Sequence, residues 1–141
     1  MPPDKLSVVV FSGAFTRVHY ALCMASAAAA IGKPVTLFFT MKAARALLKG
    51  DGAPGWHALD AEGDGDDAAA IDRDFALKGV ATFEALLEAC VELEVRIMVC
   101  EMGLKALGIG AGALREDVAV AEGGLVTFLS DASGDGAMVF I

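Results

Sequence analysis

Residues 6–39 read LSVVVFSGAFTRVHYALCMASAAAAIGKPVTLFF, and this stretch decides the fold. It opens with a short β-branched apolar run, Leu6–Phe11, which is typical of a strand buried on both faces. A helix is predicted next, with Thr16 as its N-cap and Gly32 as its C-cap. A second buried strand is predicted at Val35–Phe39. Strand, helix and strand in this order predict a parallel crossover unit.

The same alternation continues along the chain. Further strands are predicted at Val95–Val99, Val118–Val120 and Ala137–Ile141, and further helices at Met41–Lys49, after the N-cap residue Thr82, at Glu101–Leu107 and at Gly123–Asp131. The length of 141 residues fits a single domain. We therefore predict one α/β domain over residues 1–141, a flavodoxin-like three-layer sandwich with a parallel five-stranded sheet. In such folds, ligands and chemistry lie at the carboxyl ends of the strands.

An acidic segment at residues 50–79 interrupts this alternation, with eight acidic side chains against two basic ones. We predict a mobile acidic loop here, with a helical turn near Asp66–Ile71. Trp56 and His57 are expected to form a loose, exposed pair. The sequence from Asp60 does not match a calcium-binding EF-hand loop, because the twelfth position is an isoleucine and the motif requires a bidentate glutamate there. No metal and no cofactor are expected.

Composition and charge exclude several functions. The net charge of −8 argues against nucleic acid, whose phosphates need a basic surface. The apolar content of 56% has two interpretations: a well-packed core, or an apolar surface that a second subunit covers. The second interpretation predicts a homo-oligomer. We expect neither a secretory signal nor insertion into a membrane. The three cysteines, an odd number without close spacing, indicate a reducing, cytoplasmic setting.

Cys100 is the candidate for covalent chemistry. It lies where the strand Val95–Val99 ends and directly before a predicted helix. The positive end of a helix favours the thiolate form, which is the nucleophile and the sulfur acceptor. The alternative is a buried cysteine that behaves as a small apolar residue. Cys23 and Cys90 fall among apolar residues on helix faces and are predicted to belong to the core.

The residues around Cys100 carry a resemblance. Val99-Cys100-Glu101-Met102-Gly103-Leu104, followed by Leu107-Gly108-Ile109, is similar to the strand-end cysteine and short helix of the DsrE/DsrF-like family of sulfur-relay proteins. The segment KLSVVVFSGAFTRVHYALCMASAAAAIGKPVTLFFT resembles the first β-α-β unit of that family, and the tail resembles its closing helix and strand. Relatives often have Ser after Cys-x-Met, where this chain has Gly103.

The resemblance implies a sulfur carrier or sulfurtransferase-like protein that accepts sulfur as a persulfide on Cys100 and relays it. It also implies donor and acceptor proteins as partners, and an oligomer. Near the same edge of the sheet we name six further residues that could line the site: Ser12, Thr16, His19, Thr40, Met102 and Gly103. For His19, a satisfied polar residue at the sheet edge is the favoured interpretation. The alternatives are a non-catalytic flavodoxin-like module that binds a phosphate-bearing ligand at 12–16, or a structural subunit of an oligomeric assembly.

Overall fold

The computed structural model describes residues 2–62 and 66–141, and five of its strands form one parallel sheet in the order β4-β3-β2-β1-β5. The strands are β1 (Leu6–Val10), β2 (Val35–Phe39), β3 (Arg96–Cys100), β4 (Val120–Gly123) and β5 (Ala137–Phe140). Every neighbouring pair is parallel. The predicted α/β class and five-stranded parallel sheet are confirmed. Only β4 lies clearly later in the chain than predicted.

Five α-helices connect these strands in the described residues. They are α1 (Phe15–Ala30), α2 (Ala68–Leu77), α3 (Phe83–Glu92), α4 (Glu101–Ala106) and α5 (Leu125–Asp131). The helix predicted after β2 is a 3-10 helix over Met41–Leu47. None of the helices described in 2–62 and 66–141 is both long and apolar enough to cross a membrane.

The prediction of Thr16 as the N-cap of α1 is wrong, because the N-cap is Ala14, two residues earlier, and the helix begins at Phe15. A backbone bridge to Asp60 sets this start. The Asp60 N–H donates to the Gly13 carbonyl at 2.8 Å, and the Phe15 N–H donates to the Asp60 carbonyl at 2.9 Å. Thr16 is therefore half-buried within the first turn of the helix.

The two faces of the sheet are covered unequally. From β1 to β4 the chain steps along the sheet in one direction, so right-handed crossovers place α1, α3 and α4 on one face. The return from β4 to β5 places α5 on the other. The first face holds the large apolar core, with Phe15, Leu22 and Leu37 fully buried. The second face holds a small cluster of four buried residues: Phe38, Met98, Cys100 and Phe128.

The described part of the acidic segment packs against the large core, which the sequence did not indicate. Trp56 is only 4% exposed, so the expectation of an exposed pair is wrong for this residue. Its ring stacks on Phe83 with centroids 4.8 Å apart and meets Phe15 at 5.6 Å, while His57 is half-buried at its edge. An indole can complete an aromatic cluster although its neighbours in sequence are polar.

The helical turn predicted near Asp66–Ile71 is a longer helix, α2. Its Asp72 is buried, and the carboxylate accepts a 2.7 Å hydrogen bond from the Phe83 N–H at the start of α3. Thr82 is the N-cap of α3, as predicted. Residues 63–65 of the predicted loop, with Asp64 among its acidic side chains, lie outside the described residues, and the mobility of the loop stays a prediction.

Replacing Trp56 tests whether the acidic segment belongs to the core. We expect Trp56→Ala to lower the free energy of unfolding by about 3–5 kcal/mol, since truncating a buried aromatic residue leaves a cavity. The neighbouring His57→Ala, which removes a half-buried ring, is the control and should cost less than about 1 kcal/mol. Urea unfolding followed by circular dichroism measures both. Equal and small losses would show that Trp56 does not pack as described.

A carboxylate at the end of α5 ties this helix to β2, to β3 and to the residue that precedes β1. Asp131 Oδ2 accepts hydrogen bonds of 2.6 Å from both Lys5 Nζ and Thr36 Oγ1, and Oδ1 accepts one of 2.8 Å from Arg96. Lys5 also donates to the Asp131 carbonyl at 2.8 Å. Burial alone would raise the pKa of Asp131, but the hydrogen bonds and charges of Lys5, Thr36 and Arg96 outweigh it and hold the pKa below its ordinary value.

This lowered pKa has a consequence for stability at acid pH. Asp131 should stabilise the fold fully above its unfolded pKa of about 3.9 and lose that contribution as pH falls through the lower folded value. The difference in unfolding free energy between wild type and Asp131→Asn should therefore shrink between about pH 4 and pH 2. Urea titrations across this range measure it. A difference that stays constant with pH would contradict the assignment of the shift to Asp131.

Candidate functional site

Cys100 lies at the junction of a strand and a helix, as the sequence predicted. It is the last residue of β3 and the N-cap residue of α4, with φ −76° and ψ 120°. Its side chain makes no capping hydrogen bond and is 1% exposed. The strand alternation turns the side chain away from the large core and into the small cluster with Phe38, Met98 and Phe128. In this arrangement no partner from solution can reach the thiol.

The position of Cys100 coincides with a change of direction in the topology. Cys100 is paired with Gly123 at the carboxyl ends of β3 and β4. From these ends the chain continues into α4 on one face and α5 on the other, so this is the switch point of the sheet. Open α/β sheets place their ligand crevices at such points. The fold therefore gives Cys100 the location at which this architecture usually carries its chemistry.

Three of the predicted neighbours lie around the first turn of α4. Thr40 directly follows β2 and is buried, whereas Met102 is 61% exposed. Gly103 is buried against the backbone between them: a Cβ at this position would lie 2.6 Å from the Met41 nitrogen and 3.0 Å from Thr40 Oγ1. Met41 itself adopts the left-handed φ of 51°. The close approach of two backbones explains why this chain has no side chain at position 103.

An apolar pocket of about 300 Å³ opens beside this turn. Its lining residues are Val9, Phe11, Thr40, Met41, Met102, Leu125 and Phe140. Thr40 and Met102 thus share a pocket, and Phe11, Leu125 and Phe140 belong to an exposed apolar rim. Cys100 lies under this region without opening into the pocket.

Ser12 lines an adjoining cleft of about 560 Å³, which shares Phe11, Met41 and Phe140 with the apolar pocket. Thr16 lies in the first turn of α1, which follows Ser12. The Ser12 hydroxyl accepts a 3.1 Å hydrogen bond from the Ala14 N–H, which fixes the loop between β1 and α1. The cleft is also lined by Arg17, Lys42 and Asp60, so two of its three charged side chains are basic.

His19 does not join the site. It is 4% exposed and packs on the first face of the sheet, with its ring 4.9 Å from Phe75 and 5.6 Å from Phe15. Its Nε2 lies 2.8 Å from the Ala81 carbonyl and its Nδ1 3.7 Å from the sulfur of Cys23. These contacts satisfy the ring, and the sheet separates it from Cys100. The expectation that His19 lines the site is wrong, and the favoured structural interpretation holds.

Of the other two thiols, Cys90 is buried in the large core and Cys23 is half-buried against it. Burial raises the pKa of Cys23, and burial together with the nearby Cys23 raises the pKa of Cys90 to about 11. Both are therefore thiols and not thiolates at neutral pH. All three cysteines are free, with no disulfide among them. The prediction that Cys23 and Cys90 belong to the core is confirmed.

Sequence reasoning missed the residues that cover Cys100. Phe128 stacks on Phe38 with ring centroids 4.8 Å apart and closes the small cluster. The sequence predicted a helix at this place but not the face it occupies. The role of Asp131, at the opposite ends of the strands, could have been expected from the sequence. Lys5 precedes the apolar strand β1 and Arg96 begins β3, and charged residues at such positions require an acidic partner.

Comparison with known proteins assigns the family. The profile of the DsrE/DsrF-like family matches residues 5–140, which is nearly the whole chain, and the chain belongs to this family. Membership supports a role of the sulfur-relay type. Among the curated proteins, no match was found.

The tight contact at Gly103 can be tested directly. We expect Gly103→Ser to lower the free energy of unfolding by about 1–3 kcal/mol, because its Cβ would overlap the Met41 backbone. Gly110→Ser is the matched control, since a Cβ there meets no atom within 4 Å of the described residues, and its effect should stay within about 0.5 kcal/mol. Thermal unfolding compares the two. A Gly103 variant as stable as the control would show that α4 does not pack this closely.

Proposed function

We propose that the protein carries sulfur as a persulfide on Cys100 and relays it between a donor and an acceptor protein. The observation that carries the proposal is the position of Cys100 at the topological switch point of a DsrE/DsrF-like domain. Cys23 and Cys90 lie on α1 and α3, which pack on the first face of the sheet, so neither lies at the strand ends where Cys100 is found. A persulfide carrier needs one nucleophilic sulfur at a ligand-binding edge, and Cys100 is the cysteine at that edge.

The transfer needs no added oxidant or reductant. The Cys100 thiolate attacks the outer, sulfane sulfur of a donor persulfide, and a new S–S bond forms to Cys100 Sγ. The S–S bond within the donor breaks, and the donor leaves as a thiolate with the electron pair. Relay to an acceptor is the same exchange in reverse, with the acceptor thiolate as the nucleophile and Cys100 as the leaving thiolate.

The first turn of α4 supports such an intermediate. The N–H groups of Met102 and Gly103 belong to a helix start and have no intrahelical acceptor. In the proposed persulfide they would donate to the outer sulfur, which carries the negative charge. The absence of a Gly103 side chain keeps this part of the backbone close to the loop at Thr40.

The proposal includes a cytoplasmic location and a homo-oligomer. A reducing compartment keeps thiols free for sulfur transfer, and all three cysteines are free. Phe140 is 69% exposed, Met138 50% and Phe11 45%, and they are contiguous with the apolar pocket. β5 is also an edge strand without lysine or proline to discourage pairing. A second copy of the chain that pairs there would remove this surface from water.

A second candidate function is the binding of a phosphate-bearing small molecule by a non-catalytic module. The cleft at Ser12 favours it, since Arg17 and Lys42 give it a basic lining and the α1 N-terminus lies beside it. In that case Cys100 would be an inert packing residue. Stabilisation by nucleotides without sulfur uptake would favour this candidate.

Sulfur loading tests the main proposal. After treatment with inorganic polysulfide, intact mass spectrometry should show added sulfur on the wild-type protein, and a reductant should remove it. Cys100→Ser should gain none, because no thiolate remains at the switch point. Cys23→Ser is the matched control and should load like the wild type, as Cys23 lies on the opposite face.

Two results would contradict the assignment. Wild-type protein that gains no sulfur would favour the binding module. Loading of Cys100→Ser to the wild-type level would place the sulfur on another residue. Size-exclusion chromatography with light scattering on the same samples tests the oligomer, and Phe140→Glu should shift the protein toward the monomer.

A further inference from the structure

The burial of Cys100 sets a condition on any chemistry at this thiol. At 1% exposure its sulfur has no open path along which a donor sulfur can approach. We propose that α5 is a movable cover over Cys100 and that Asp131 is a positioning residue that holds this cover closed. The inference deepens the proposed function, since it names how access to the same thiol is regulated.

Few contacts hold α5 on the sheet. Of its seven residues only Phe128 is fully buried, whereas Leu125 is 48% exposed, Leu129 56% and Val126 79%. An isolated helix of this length is unstable in water, so its position depends on what it contacts. By contrast, α1 buries six residues in the large core. Fewer buried residues thus hold α5 on the sheet than hold α1.

The contacts of α5 are concentrated at two points. In its middle, Phe128 stacks on Phe38 and closes the cluster that contains Cys100. At its end, the Asp131 carboxylate is shared by three donors: Lys5, which directly precedes β1, Thr36 on β2 and Arg96 on β3. The first contact blocks the thiol, and the second fixes the helix that carries the block.

The connections on both sides of α5 permit movement. Gly124 directly precedes the helix, and Gly134 follows it. A Cβ at Gly124 or Gly134 would meet no atom within 4 Å of the described residues, so neither glycine is required by packing. Their backbone freedom allows the helix to move without disturbing β4 or β5.

The alternative route to the thiol runs past α4 and is closed more firmly. Gly103 of α4 lies against the Met41 backbone, and Leu104 is buried in the large core. Movement of α4 would break into that core. Displacement of α5 exposes the small cluster alone, so it is the less costly opening.

The chain supplies its own control for this opening. Cys90 is fully buried in the large core on the opposite face, so it reacts only when the fold opens widely. Cys100 should react when α5 alone moves away. The ratio of the alkylation rates of Cys100 and Cys90 therefore separates local opening from general unfolding.

The experiment compares alkylation by iodoacetamide at each cysteine in wild type, Asp131→Asn and Asp135→Asn, followed by peptide mass spectrometry at one pH. Asp135 is the matched control, because its side chain makes no hydrogen bond to the described residues. We expect Asp131→Asn to raise the Cys100 rate by about tenfold or more, as the loss of charge-assisted hydrogen bonds shifts local equilibria by such factors. The Cys90 rate should stay within about twofold.

Hydrogen exchange gives a second readout of the same movement. Amides of residues 125–131 should exchange faster in Asp131→Asn, while those of α1 should not change. If Asp131→Asn does not fold, Thr36→Val removes one of the three donors and should give a smaller rise at Cys100.

Two results would overturn the inference. An unchanged Cys100 rate in Asp131→Asn would show that Asp131 does not control access, and a parallel rise at Cys100 and Cys90 would show general destabilisation. Alkylation involves no sulfur donor. Failure of sulfur loading would therefore refute the persulfide proposal and leave the movement of α5 standing, and the converse also holds.

Discussion

The carboxylate of Asp131 is the interaction on which the second face of the sheet depends. It forms ion pairs with Lys5, just before β1, and with Arg96 at the start of β3, and it accepts a hydrogen bond from Thr36 on the strand between them. Two cationic groups beside an apolar sheet would be unfavourable without such a partner. The same contact fixes the end of α5, and α5 brings Phe128 over Cys100. The ion pairs of Asp131 at one end of the strands thus control the burial of Cys100 at the other end.

This arrangement divides the molecule by stability as well as by space. The first face carries α1, α3 and the aromatic cluster around Trp56, and its burial supplies most of the hydrophobic stabilisation. The second face has four buried apolar residues and one short helix in the described structure. Elements that move for function are drawn from the less stable parts of a fold. A thiol placed under the weaker face can be protected from oxidation and still be reached.

Much of the fold was predictable because it follows from local patterns. Buried parallel strands are continuous apolar runs, and β2 was predicted with its observed bounds. The capping of α3 by Thr82 follows from residue chemistry at one position. The start of α1 was missed because a distant backbone contact with Asp60 decides it. Trp56 was misjudged for the same reason, since its aromatic partners are far away in sequence.

The position of the candidate site could be predicted from the sequence, but the burial of the Cys100 thiol could not. Cys100 stands out from its place after a buried strand, and Met102 and Gly103 follow from the same turn. Which face the side chain occupies depends on strand register, and what covers it depends on a helix 25 or more residues later. His19 shows the opposite error, because closeness to the predicted edge in sequence placed it on the wrong side of the sheet.

The most direct test of this account is the rate at which Cys100 takes up sulfur from inorganic polysulfide in wild type and in Asp131→Asn, measured beside the alkylation rate of the same residue. If a buried thiol reached by movement of α5 is the sulfur acceptor, both rates should rise by the same factor in the variant. A variant in which alkylation accelerates while sulfur uptake stays unchanged or falls would contradict the account.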